Sequence, residues 1–223
     1  RDLVRRFWSA PNLVAGEGLK AVQMFEGVRS GRIKALWIMH TNPIATLPDA
    51  DRVRDALGGL ELLVVSEAMA GPTQVGLAHV ALPASAWGEK DGTVTNSERR
   101  VSRQRPFRRA PGLARPDWAH VADVATRMGF AGFGWGSAAE IFREHAALSG
   151  FENAGERDFD ISGLATLDDR AFDALEPVQW PVNTAHPRGK ARFFADGRFY
   201  HPDGKARMRP IAEPRLASDV DEA

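Results

Sequence analysis

Apolar residues change their spacing several times along the chain, and each change marks an expected element. From residue 18, Leu19, Val22, Met24, Phe25 and Val28 fall mainly three or four apart, the period of a helix with one buried stripe. Gly31 stands where a glycine ends such a helix. Residues 33–39 are a short apolar run between breakers, which predicts a buried strand closed by Thr41, Asn42 and Pro43. Beyond Pro48, Asp49 and Asp51 favour a helix start, Val53, Ala56 and Leu57 give it an apolar face, and Gly58 and Gly59 end it. Residues 60–66 read as a second strand, 75–78 as a short helix and 79–82 as a third strand. Strand, helix, strand is the ingredient list of a βαβ unit, so the fold class is α/β with a parallel sheet.

After the third strand the pattern breaks. Residues 82–100 open on Pro83 and then hold Trp87, Glu89, Lys90, Asp91, Asn96, Glu98, Arg99 and Arg100 among glycines and hydroxyls. In open α/β sheets ligands bind beyond the carboxyl ends of the strands, and this stretch leaves such an end, so it reads as a ligand loop. Residues 99–109 carry six arginines and one aromatic, Phe107. Too few stacking side chains are present for a nucleic-acid groove, and a solvated or phosphate-facing arm is expected. Asp117 is placed as the N-cap of a helix through Met128, with Trp118, Val121, Val124 and Ala125 on its apolar face. Gly132, Gly134 and Gly136 suit a turn, and Ser137 caps a further helix through Leu148. From 151 to 175 the pattern is loose; Pro177, Pro181 and Pro187 follow, and residues 191–200 read as a hairpin around Asp196 and Gly197.

Composition narrows the function classes. Lys plus Arg and Asp plus Glu are both 29, so bulk charge argues for neither nucleic acid nor an anionic membrane. No apolar run approaches the roughly 20 residues of a membrane span and no signal-peptide pattern is seen, so a cytoplasmic location is expected. The chain holds no cysteine, so a thiolate ligand for a metal or cluster would come from outside it. It starts at Arg1, and residues 212–223 trail off in small and polar types, as expected of a piece of something longer.

Residues 31–43, 64–67, 82–105 and 114–118, the third of these carrying Trp87-Gly-Glu-Lys-Asp-Gly-Thr-Val-Thr-Asn-Ser-Glu-Arg-Arg, resemble the molybdopterin oxidoreductases, and among them the bacterial assimilatory nitrate reductases. The resemblance implies a large catalytic subunit that reduces nitrate to nitrite. In it residues 1–150 are a Rossmann-like dinucleotide-binding domain for one guanine dinucleotide of a bis-molybdopterin molybdenum cofactor. Residues 151–187 are then a linker, and 188–223 the start of a truncated second, β domain. It further implies a 4Fe-4S cluster elsewhere in a longer chain, the remaining domains of that subunit as partners, and an electron-donor protein or domain. Carried over residue by residue, the cofactor contacts fall on Asn42 after the first strand, Ser66 and Glu67 after the second, Lys90 in the loop, and Asp117. Glu67 is then assigned to the ribose and Asp117 to the base. Two departures are Glu67, where the family usually has Asp, and His40, where Gly is common. A formate dehydrogenase-like relative and a non-catalytic nucleotide-binding module are the competing readings.

Overall fold

The computed structural model describes residues 1–211 and Glu213. Two units are resolved by their internal contacts, Arg1–Gly189 and a second that begins at Lys190.

The first unit holds a parallel sheet in the order β1 (Ala35–Met39), β2 (Leu62–Glu67), β3 (Val80–Pro83). Ala35 pairs with Leu62 and Val64 with Val80, so the three strands end level with one another near Met39, Ser66 and Leu82. The crossovers are helical, as parallel pairing requires. Before β1 lie α1 (Asp2–Phe7), which the spacing of apolar residues does not announce, and α2 (Ala21–Arg29). Between β1 and β2 come α3 (Pro43–Thr46) and α4 (Ala50–Gly58), and α5 (Thr73–Leu77) joins β2 to β3. Phe25 and Val28 of α2 and Val53, Ala56 and Leu57 of α4 bury their faces with Ile38, Leu63 and Val65 of the strands. Leu57 and Leu63 are wholly buried. Each such side chain contributes about 1.5–3 kcal/mol relative to exposure.

The expected ligand loop is instead largely folded. It makes a single 3-10 turn at Trp87–Glu89 and then β4 (Gly92–Thr95), which pairs antiparallel with β5 (Arg100–Gln104). A short β6 (Val178–Gln179) adds to β5. In the arginine-rich arm Arg105, Arg108 and Arg109 are exposed, as expected of a solvated arm, and Arg103 is the exception. Arg103, with a side chain only 5% exposed, bonds Asp91 at 2.8 Å and Asp173 at 3.1 Å, and its guanidinium lies 4.2 Å from the centre of the Phe172 ring. It is a strut, because a cation buried this far must be paired. Phe142 and Ala146 of α7 (Ala138–Gly150) pack with Val101, Ile161, Leu164, Phe172 and Val182 in a second apolar cluster. Residues 151–187 therefore include much of a packed core, with a 3-10 turn at Ser162–Leu164 and α8 (Asp169–Asp173). Ser137 accepts a hydrogen bond from the Glu140 amide and caps α7 as expected.

In the second unit Phe194 stacks on Phe199 with centroids 4.8 Å apart. The turn expected at Asp196 and Gly197 forms, with the Gly197 amide donating to the Phe194 carbonyl at 3.0 Å. The flanking strands do not: no strand occurs among the described residues beyond Gly189. Residues 212 and 214–223 of the expected β domain lie outside the described residues.

Candidate functional site

Three carboxyl strand ends and one helix start converge on a small charged cluster. After β1 the chain turns through His40, whose amide donates to the Ser66 carbonyl at 3.0 Å. His40 has φ 48, in the left-handed region, where a non-glycine residue costs on the order of 1 kcal/mol. After β3, Ala84 forms a parallel bridge with Arg115, which extends the sheet by one residue pair and leads directly through Pro116 into α6 (Asp117–Arg127). Asp117 thereby stands beside the end of β3. Lys90 arrives from the 3-10 turn, whose amide at Ala86 is held by the Glu89 carboxylate at 2.9 Å.

Lys90 Nζ lies 3.2 Å from Asp117 Oδ2, and His40 Nε2 lies 3.0 Å from the same oxygen. The three side chains are only 25–30% exposed. Two lone pairs facing each other at 3.0 Å would repel, so Nε2 carries its hydrogen toward Asp117. Lys90 Nζ, 3.4 Å from the same Nε2, then finds no acceptor at that nitrogen and keeps ammonium protons for another group. Asp117 Oδ1 is buried and meets no hydrogen-bond partner among the described residues. A buried carboxylate oxygen without a donor is costly, so this atom marks where a ligand donor fits.

Asp117 was expected to cap its helix. It does not: Pro116 occupies the cap position and Asp117 is the first helical residue, with no capping hydrogen bond from its side chain. It still gains from the positive end of an 11-residue helix. The other candidates are spread around this cluster with their side chains engaged locally. Asn42 caps α3 by accepting from the Ala45 amide. Ser66 is fully buried and its hydroxyl accepts from Trp37 Nε1 at 2.8 Å. Glu67 turns back on its own neighbour, accepting from the Ala68 amide at 2.8 Å. Lys90 and Asp117, 27 positions apart, are thus the pair brought into contact. The partner that sequence reasoning left out is His40; its signal was a bulky residue placed directly after a strand and before Thr-Asn-Pro, where the chain must turn sharply.

Residues 5–127 match the family described as Molybdopterin oxidoreductase, more than half of the chain. The chain belongs to the molybdopterin oxidoreductase family. A nitrate reductase of Klebsiella oxytoca is 50% identical over 217 residues, 97% of this chain and 24% of that protein. One of Shewanella frigidimarina is 43% identical over 93% of the chain and 23% of its own length. An F420-dependent formate dehydrogenase 2 subunit alpha of Methanococcus maripaludis is 33% identical over 99% of the chain and 30% of its own length. The chain thus spans about a quarter of the length of these curated relatives. Among solved structures, the acetylene hydratase of Pelobacter acetylenicus matches with a TM-score of 0.55 at 15% identity, over 82% of this chain and 23% of that one, a likeness of fold. Membership implies a molybdenum–molybdopterin cofactor. The donor set suits one arm of such a group, with a cation that retains donors and a carboxylate oxygen that lacks one. No helix among the described residues is long and apolar enough to cross a membrane.

Proposed function

We propose that this chain is the part of a molybdenum-dependent nitrate reductase catalytic subunit that grips the guanine dinucleotide portion of the cofactor at the carboxyl ends of β1, β2 and β3. The reading rests on one observation: Lys90 and Asp117 are paired at the strand ends while Asp117 Oδ1 is buried without a donor. Guanine presents two adjacent N–H donors on its Watson–Crick edge, which a carboxylate accepts together; adenine offers a single amino donor beside a ring-nitrogen lone pair that would face the carboxylate. Lys90, a compact cation, suits the diphosphate. Glu67 at the end of β2 stands where an acid accepts from ribose hydroxyls in dinucleotide folds, once it releases the Ala68 amide. Asn42 and Ser66 would shape the floor through the turns they hold.

The bound cofactor would supply two-electron redox chemistry at molybdenum, and this chain's residues would hold and orient its nucleotide. The chain has no cysteine, so a 4Fe-4S cluster and any thiolate ligand would reside in the rest of the subunit, beside the entry point of an electron donor. Nitrate as substrate is drawn from the relatives at 50% and 43% identity. Formate is the second reading, kept by the formate dehydrogenase match across 99% of the chain. The test is Asp117→Asn in the full-length protein, with molybdenum and guanine nucleotide released on denaturation measured per protein. Loss of both is expected. Wild-type content of both would leave the nucleotide to other residues.

A further inference from the structure

His40 is not a bystander at this site. Its side chain and Lys90 both address Asp117 Oδ2, at 3.0 and 3.2 Å, and nothing among the described residues addresses Oδ1. A carboxylate on a flexible stem rotates to share its donors between its two oxygens unless those donors sit on one side. Here they do: Lys90 comes from the 3-10 turn before β4, His40 from the end of β1, and both reach the same oxygen. His40 is held there by its backbone, because the left-handed turn at φ 48 is locked by its amide bond to the Ser66 carbonyl. A glycine would make that turn with less strain but would bring no donor. The imidazole therefore accompanies a backbone conformation that favours glycine, at the one place where its Nε2 meets Asp117.

We infer that His40 is a positioning residue that sets base selectivity: by holding Asp117 Oδ2, it turns Oδ1 toward the guanine edge and keeps the carboxylate from swinging fully onto Lys90. The inference rests on the nucleotide reading proposed above. With His40 absent, Lys90 alone holds Asp117, either oxygen can serve it, and the carboxylate no longer presents one fixed acceptor. The base would lose its reader while the diphosphate kept its cation, so discrimination falls and affinity for the shared part of the ligand stays.

The experiment is calorimetric titration of the purified protein with guanosine diphosphate and, separately, adenosine diphosphate. Wild type is expected to prefer the guanine nucleotide, and His40→Ala to cut that preference by about tenfold with little change in adenosine diphosphate binding. His40→Gly, which relaxes the turn while removing the donor, should lose preference equally with a thermal midpoint no lower than wild type. His40→Gln, whose amide nitrogen takes the place of Nε2, should restore preference to within about threefold of wild type, since a single donor is all that is asked of the residue. If wild type prefers guanine and His40→Ala keeps that preference, the inference falls while the nucleotide reading stands. If glutamine fails to restore what alanine loses, the ring's packing and not its donor is responsible, and the inference again falls. If wild type itself does not distinguish the two nucleotides, the nucleotide reading falls and takes this inference with it.

Discussion

Asp117 and Asp160 lie in the same unit, each next to the start of a helical turn, and the protein treats them oppositely. Asp160 is buried with both oxygens served: the Ser162 amide donates to Oδ1 at 3.0 Å and Asn183 Nδ2 to Oδ2 at 2.9 Å. Burial pushes its carboxyl up, but the hydrogen bonds from Ser162 and Asn183 and the nearby Arg157 charge outweigh this and hold it below the usual carboxylate range. Asp117 has the Lys90 ammonium and the His40 imidazole crowded on one oxygen and no donor on the other. A satisfied carboxylate in a core is a fastener. An unsatisfied one at the ends of parallel strands is an acceptor waiting for a donor, and the difference is legible only in which atoms meet, not in the residue type.

The comparison is tested most severely at the core that surrounds Asp160. Phe142 packs against Phe172 with centroids 5.3 Å apart, and Phe172 in turn carries the Arg103 guanidinium. Phe142→Ala is expected to cost about 3–5 kcal/mol in chemical denaturation, the range for deleting a buried ring. A loss under about 1 kcal/mol would mean that this cluster is not a core and that Asp160 fastens nothing.

Asp160→Asn comes next. Its amide must turn a donor toward either Asn183 Nδ2 or the Ser162 amide, leaving donors opposed, and a loss of about 1–3 kcal/mol is expected near neutral pH. The pH dependence has a definite sign. Because the folded carboxyl is held below its unfolded value of about 3.9, its stabilisation is complete above that value and disappears as pH falls through it toward the folded one. The gap between wild type and Asp160→Asn should therefore be constant above about pH 5 and narrow below about pH 4. A gap that widened in acid would reverse the assignment.

The smallest stability effect is expected at the strand ends. Lys90→Met removes a pair whose members are 30% and 25% exposed, worth at most about 1 kcal/mol. Asp117→Asn belongs in the same range. A cost equal to that of Asp160→Asn would erase the distinction between fastener and acceptor.

How much of this could be read from sequence follows the strength of local signals. β1, β2 and β3 were visible as short apolar runs between breakers, although only β2 is largely buried and β3 stays mostly exposed, and α2 and α4 because their stripes have helical spacing and definite ends. The β4–β5 hairpin was hidden, since Gly92–Thr95 and Arg100–Gln104 are polar and their partners lie across a turn of charged residues. The burial of Arg103 depends on Asp91 and Asp173, which are 12 and 70 positions away, and no periodicity records such a meeting. The pairing of Lys90 with Asp117 was likewise unreadable; each was a candidate on its own, and the Ala84–Arg115 bridge that brings them together has no local signature. His40 was seen as a departure from the pattern of similar proteins, but its role appeared only with the position of its Nε2.

A crystal structure of the protein with guanosine diphosphate tests the central claim most directly. The account predicts the guanine edge within hydrogen-bond distance of Asp117 Oδ1, with His40 still on Oδ2 and the diphosphate at Lys90. A nucleotide bound away from the ends of β1, β2 and β3, or one that leaves Asp117 Oδ1 without a donor, would contradict it.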